Sequence, residues 1–477
     1  MNGKKALQLG VSFCLGVTLT FLLTLVFSTQ KVRTIISPSN SGEIDSINQV
    51  YNVLRNHHYF FEGESQELID GAIIGMIGAL NDQHSTYFTM NDYEEFVGRL
   101  GETYYGIGSE VTSINGYTII VAPFPNSPAE NAGLLPNDTI IEVDGENVVG
   151  ENLQTVVNKI KGPEDTVVII GIKRGDSNEL INIEVTRGEI AQETVRSEML
   201  ETEGNKIGLV QVTTFGENTR KEFIDAVKAL EDDGMESLIV DLRNNSGGYL
   251  TAVVQMIDYL LPEGKVITSV RDRDGNGDTI ETTGNTPGKD YPIVTLINGG
   301  SASASEIFAA AMKEAANQEV IGTTTYGKGT VQETLNLDES SMLKLTTQIW
   351  LTSAGNWINE VGVEPTIEVE APYFYSFFQV YLPEGEALTY DLVSPAVQNA
   401  QNILQTLGYE VSRTDGFFDE STVTAVQRFQ RDQGLEETGT IESNTARALT
   451  MALRDKIRNP QYDDQLQKAI EILSEKN

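Results

Sequence analysis

The chain has 477 residues, one cysteine, and 33 basic against 69 acidic residues, for a formal charge of −36. That length calls for about three modules with sizeable cores, and the lone Cys14 excludes an internal disulfide framework. The acidic balance excludes nucleic acid as a partner, because neutralising phosphates takes basic clusters. Residues 1–30 begin with Lys4 and Lys5 and then run almost wholly apolar from Ala6 to Phe27. At 1.5 Å per residue a helix of that run spans roughly 33 Å, enough to cross a bilayer core. Val26-Phe-Ser28 offers a small residue at a cleavage position, and Lys31 and Arg33 beyond it blunt the charge asymmetry that orients anchors. The expectation is a retained membrane anchor with the bulk of the chain outside the cytoplasm, or a secreted protein if the segment is removed.

A Ser-Pro-Ser-Asn-Ser-Gly stretch ending at Gly42 leads into apolar side chains at helical spacing: Ile44, Ile47, Val50, Tyr51 and Leu54, then Leu68, Ile69, Ala72, Ile73 and Met76. Residues 31–100 therefore read as a helical arm whose stripes form core or interface. Residues 101–188 alternate like short strands separated by turns, with a helix over Asn152–Lys161. Residues 189–372 read as an α/β body. Strands are expected at Lys206–Val212, Ser237–Asp241, Tyr291–Asn298 and Glu319–Gly322, with helices over Thr219–Asp232 and Ser303–Ala316. A linker over 373–393 precedes residues 394–455, where Val397, Ala400, Ile403, Leu404 and Leu407 recur at helical spacing. Residues 456–477 carry a last amphipathic helix with Leu466, Ala469, Ile470 and Leu473 on one face, suited to closing a homodimer.

The chemistry is concentrated in Asn298-Gly-Gly-Ser-Ala-Ser303-Ala-Ser-Glu306 and Tyr326-Gly-Lys328-Gly-Thr-Val-Gln332. Ser303 falls at a strand-to-helix turn, where outward backbone amides stabilise an alkoxide or oxyanion. The next strand returns Lys328 to the same edge on a glycine-flanked loop. A lysine acts as a base near neutral pH when burial disfavours its charged form, and Gln332 is placed to hold the amine by a hydrogen bond. Ser301 and Ser305 are local alternatives to Ser303. Gly322-Thr-Thr-Thr-Tyr-Gly327-Lys328 is nearly a phosphate-binding loop, yet Gly329 stands where a magnesium-binding hydroxyl belongs. The three histidines, His57, His58 and His84, sit in no recognisable site motif and read as packed or surface residues; their scarcity also argues against a zinc peptidase. Asp272-Arg-Asp-Gly-Asn-Gly277 begins like a calcium loop, but Thr283 replaces the closing glutamate, so a hairpin is expected and no metal.

Together the two motifs resemble the signature of the carboxyl-terminal processing (tail-specific) serine proteases. The resemblance implies Ser303 as nucleophile, Lys328 as general base and Gln332 as the residue that orients the lysine, with no cofactor. Asp241-Leu-Arg-Asn-Asn-Ser-Gly247-Gly248 resembles that family's second signature, with Ser246 where proline is frequent. It implies that an amide at Gly247 or Gly248 joins that of Ala304 in holding the oxyanion. Tyr105-Gly-Ile-Gly108, the Ser127–Asp138 segment and the Asp144-Gly145 turn resemble a PDZ domain, which implies that Tyr105, Gly106, Ile107 and Gly108 hold a free C-terminal carboxylate while the tail adds a strand. Ser85-Thr-Tyr-Phe88 resembles part of the family's N-terminal arm. Gln401–Gly408, Thr422–Gln430, Gly439 and Thr445 resemble a peptidoglycan-binding domain, implying three small helices.

The fold class implied is multidomain α/β and α+β: a PDZ domain ahead of an α/β serine protease core, with a helical N-terminal arm and a small three-helix C-terminal domain. The function implied is an extracytoplasmic endoprotease that captures protein tails, with peptide substrates, peptidoglycan and a second copy of the chain as partners. A non-catalytic adaptor and a peptidoglycan hydrolase are the rival classes. The intact dyad speaks against the first, and the lack of paired carboxylate or zinc motifs against the second.

Overall fold

A computed structural model describes residues 41–476 apart from 91, 94–102, 115, 125–126, 175–179, 192, 203, 339–340, 378–379, 381 and 383–385. The apolar run Ala6–Phe27 lies outside the described residues, among which no helix is long and apolar enough to cross a membrane. The chain divides at Asn81 into two units. The first carries two helices, Ser41–His57 and Ser65–Gly78. Their apolar positions are exposed in this chain: Val50, Val53, Ile74 and Met76 each show more than half their surface, so the stripes do not form a core.

The second unit holds an α/β body whose six-stranded sheet takes the order Val195–Thr202, Asn205–Val212, Ser237–Asp241, Ile293–Ile297, Glu319–Gly322 and Ile367–Glu368. The first pair is antiparallel and the rest run parallel. Ser237–Asp241 and Ile293–Ile297 are buried at every position, as continuous apolar strands in a parallel sheet must be, because both faces need cover. Thr219–Asp232, Leu250–Leu260 and Ala304–Ala310, the last prolonged by a π turn to Ala315, cover one face. The other face carries Ile207, Ile239, Val294, Leu296 and Ile321. It is covered by Leu466, Ala469, Ile470 and Leu473 of the helix Asp464–Lys476. The amphipathic face expected to close a homodimer thus meets the chain's own sheet. The sheet alternation that puts Ile239 opposite Leu238 and Val240 leaves a second apolar surface that, among the described residues, this returning helix covers.

Between the last sheet strand and that helix, Pro395–Thr406, Glu420–Asp432 and Ser443–Arg458 form a three-helix module around Val397, Leu404, Phe418, Phe429, Leu449 and Leu453. Two buried glutamines close its loops. Gln401 donates to Phe417 O at 2.8 Å and accepts from Gly416 N at 3.0 Å, while Gln430 donates to Thr440 O at 2.8 Å and accepts from Gly439 N at 2.9 Å. A β domain precedes the body. Its sheet begins at the edge strand Ser109–Ile114 and runs through Tyr117–Pro123, Thr139–Val143, Val167–Lys173 and Ile181–Thr186. Thr103–Gly106 pairs with Gly188–Ala191 as a two-stranded ribbon at the two ends of that domain.

Because the returning helix completes the sheet, Leu473→Ala leaves a cavity beneath it. The expected cost is about 2–5 kcal/mol, read as a lower urea midpoint at unchanged m-value.

Candidate active site

Ser303 begins the helix Ala304–Ala310 with φ of 54° and ψ of −112°, a backbone region that side chains other than glycine rarely enter. Strand Ile293–Ile297 ends just before it, so the chain turns sharply and presents the serine at the sheet edge. The neighbouring serines are differently placed. Ser301 Oγ donates to Leu242 O and Ser305 Oγ to Asn245 O, both at 2.8 Å, and both residues are fully buried. Their hydroxyls pin the segment after Asp241, whereas Ser303 is half-buried and lines a cleft of about 740 Å³ together with Lys328, Gln332, Gly247, Gly248 and Ala304.

Glu306 joins the two motifs. It is fully buried, and its carboxylate accepts from Ser303 N at 2.7 Å and Lys328 N at 2.9 Å through Oε2, and from Thr325 Oγ1 and Gly327 N at 2.6 Å through Oε1. A buried carboxylate is tolerable when donors fill its oxygens, and here the donors come from both loops. In the sequence Glu306 stands only at the end of the serine motif. The signal for it was the Ser-x-x-Glu spacing of a capping box, in which a side chain three residues into a helix reaches back to the first amide.

Lys328 makes no side-chain hydrogen bond among the described residues. Burial pushes its ammonium below the ordinary lysine range, the nearby Lys344 charge adds to the effect, and Glu306 and Asp82 oppose it. The loop is followed by the strand Thr330–Asn336 rather than a helix, which removes the phosphate-loop reading. Gln332 faces the same cleft, but its amide nitrogen donates to Thr330 Oγ1 at 2.9 Å and Thr346 Oγ1 at 3.2 Å, and no hydrogen bond to Lys328 is formed. The two glycines after Asp241 differ. Gly247 N donates to Asn245 Oδ1 at 2.9 Å, whereas the amides of Gly248 and Ala304 donate to no described residue.

His84, read from sequence as a packed or surface residue, lines the cleft. It reaches there because Thr86–Thr89 pairs with the long strand Ser341–Leu351, a non-local contact that no local motif signals. Burial and the charges of Lys328 and Lys344 hold His84 below its usual range, with Asp82 opposing. The Asp272–Gly277 segment is a hairpin turn between Val266–Asp272 and Thr279–Glu281, with Asp272 Oδ1 accepting from the amides of Asp274 and Asn276. In the β domain, Ile107 is buried in the core, with its carbonyl accepting from Ala129 N at 2.7 Å. Gly108 has φ of 70°, and Tyr105 is exposed on the ribbon. These residues lead directly into the sheet's edge strand.

Comparison with known proteins gives four family matches: "Peptidase family S41" over residues 206–369, "PDZ domain" over 119–174, "Putative peptidoglycan binding domain" over 393–449 and "Activating protease CtpB N-terminal domain" over 25–92. The chain is 36% identical to the carboxy-terminal processing protease CtpB of Bacillus subtilis, covering 90% of this chain and 89% of that protein. It is 35% identical to CtpA of the same organism, over 91% of each chain. Among solved structures, a photosystem II D1 C-terminal processing protease matches at 26% identity and a TM-score of 0.43, over 69% of this chain and 90% of that one. The architecture is a β domain of PDZ type ahead of an S41 peptidase core of mixed helix and sheet, with C-terminal helices beyond it.

Two substitutions probe this geometry. A Cβ on Gly247, whose φ is 108°, would lie 2.8 Å from Ser303 Cβ, so Gly247→Ala should displace the serine and lower kcat. Glu306→Gln turns an NH2 donor toward other donors. The expected cost is about 1–3 kcal/mol of stability with a fall of at least about tenfold in kcat, measured by denaturant unfolding and peptide turnover.

Proposed function

Because the chain belongs to the carboxy-terminal processing protease family, we propose that it is an extracytoplasmic serine endoprotease with Ser303 as nucleophile and Lys328 as general base. The observation that carries this reading is the cleft itself. Of three neighbouring serines, only Ser303 opens onto it, and it does so beside a lysine that burial biases toward the neutral amine.

In the reaction, Lys328 Nζ takes the proton of Ser303 Oγ as the oxygen attacks the scissile carbonyl carbon. The resulting oxyanion accepts from the amides of Gly248 and Ala304, which donate to no described residue. Gly247 serves this hole by its close packing against Ser303, since its own amide is held by Asn245. The Lys328 ammonium then protonates the leaving amine, releasing the C-terminal fragment. Water, deprotonated by Lys328, hydrolyses the acyl-enzyme. Gln332, its nitrogen fixed by two threonines, has its carbonyl oxygen left to accept from the lysine when the ammonium forms.

Substrate tails enter at the β domain. A C-terminal carboxylate is held at Tyr105, Gly106, Ile107 and Gly108, and the tail pairs along the edge strand Ser109–Ile114. The three-helix module, which matches a peptidoglycan-binding family model, holds the enzyme to the wall, and the apolar run Ala6–Phe27 anchors it in the membrane. The exposed apolar faces of the two arm helices supply the surface for a homodimer.

The test uses the chain without residues 1–30, incubated with an unfolded protein bearing an apolar tail and, separately, with purified cell wall. Tail-bearing protein should be cleaved, the wall left intact, and Ser303→Ala and Lys328→Ala should each lower kcat by about a thousandfold or more. Protein cleavage that survives both substitutions, or cleavage of the wall alone, overturns the reading.

A further inference from the structure

The cleft holds a second lysine that the reaction as described leaves idle. Lys344 lies on Ser341–Leu351 in register with Thr334, two positions from Thr346, the partner of Gln332. Side chains two apart on a strand share a face, so Lys344 projects from the wall that also carries Thr346. It lines the cleft with Ser303, Lys328 and His84.

The charged groups around Lys328 are few. Glu306 is engaged by four donors from the two catalytic loops. Asp82 accepts from Ser85 Oγ at 2.5 Å, His84 N at 2.9 Å and the Thr346 hydroxyl. These hydrogen bonds fix both anions in place, and burial with the nearby lysine charges disfavours a proton on His84. Lys344 is then the one cation facing Lys328 among the described residues, against the two carboxylates.

We propose that Lys344 is a positioning residue for the reaction: its ammonium, sharing the cleft with Lys328, keeps the Lys328 amine free of its proton and so able to accept the proton of Ser303. The inference rests on Lys328 being the base. Two ammonium groups confined in one partly dry cleft repel, and the more deeply buried one gives up its proton first. Lys328 is that one. Burial lowers both lysines, but Lys344 pushes Lys328 further down, while Asp82 supports the charge on Lys344. The same arithmetic gives Asp82 the opposite influence on the base. The cleft therefore carries an adjustable charge balance around Lys328, set by one lysine and one aspartate.

The experiment is the pH dependence of kcat/KM for a tail-bearing peptide, using the full chain and its Lys344→Met, Lys344→Arg and Asp82→Asn variants, with unfolding midpoints measured alongside. Activity rises with pH as Lys328 loses its proton. Lys344→Met should move that rise to higher pH, losing about tenfold or more on the acid side while recovering toward the parent rate at high pH. Lys344→Arg, which keeps the charge, should leave the rise in place, and Asp82→Asn should move it to lower pH. Lys344→Gln replaces the methionine variant if the latter does not fold. Equal losses at every pH with an unmoved rise, or a shift in the arginine variant as large as in the methionine one, overturn the proposal. A residual activity in Lys328→Ala that keeps the parent pH profile instead sinks the Ser–Lys reading beneath it.

Discussion

The carboxylate of Glu306 is the constraint on which the site depends. It lies in the interior, where an uncompensated charge costs far more than a folded domain's stability margin. It is tolerated because Ser303, Thr325, Gly327 and Lys328 all donate to it. One of those donors belongs to the turn that presents the serine and three to the loop that presents the lysine, so neither segment can move away without leaving a buried charge short of partners. The left-handed backbone of Ser303, which costs on the order of 1–3 kcal/mol, persists because its own amide is one of the four. Folding and alignment of the cleft are thereby one event.

Around this clamp, a strongly acidic chain maintains a cleft whose facing cations are lysines. The net charge of −36 belongs mainly to exposed residues, whose fields fade within about 10 Å at ordinary ionic strength. Inside the cleft, Lys328 is largely buried and the nearest fixed charges act on it most strongly. Asp82 and Glu306 illustrate the difference: both are anions, yet each is oriented by hydrogen bonds within the protein rather than by solvent.

What could be read in advance was local. The strand-turn-helix around Ser303 and the glycine-flanked Lys328 show themselves in contiguous residues, and the strands Ser237–Asp241 and Ile293–Ile297, mostly apolar, are buried throughout. The misses were contacts between distant segments. His84 enters the cleft through strand pairing with residues far along the chain. The amphipathic face of Asp464–Lys476 was legible, but periodicity states only that a face needs covering, and both a partner copy and the chain's own sheet satisfy it. Gly247 and Gly248 differ because the Asn245 side chain occupies the amide of the first, a contact the sequence motif does not signal. Helical spacing marks the arm's stripes as apolar but not as covered, and in the structure they are exposed.

The returning helix also orders events in time. A chain emerging from its N-terminus makes the sheet strands of the α/β body long before residues 463–473 exist, and until then one face of that sheet is bare. Asp463 adds a second tie. Arg243, two residues beyond Asp241 and just ahead of Gly247 and Gly248, reaches Asp463 at 2.8 Å as well as Asp241 at 2.7 Å. Domains complete their packing as synthesis releases them, so this body cannot close until the entire three-helix module has also been made. The helix that covers the sheet's second face is therefore made only after every strand it covers.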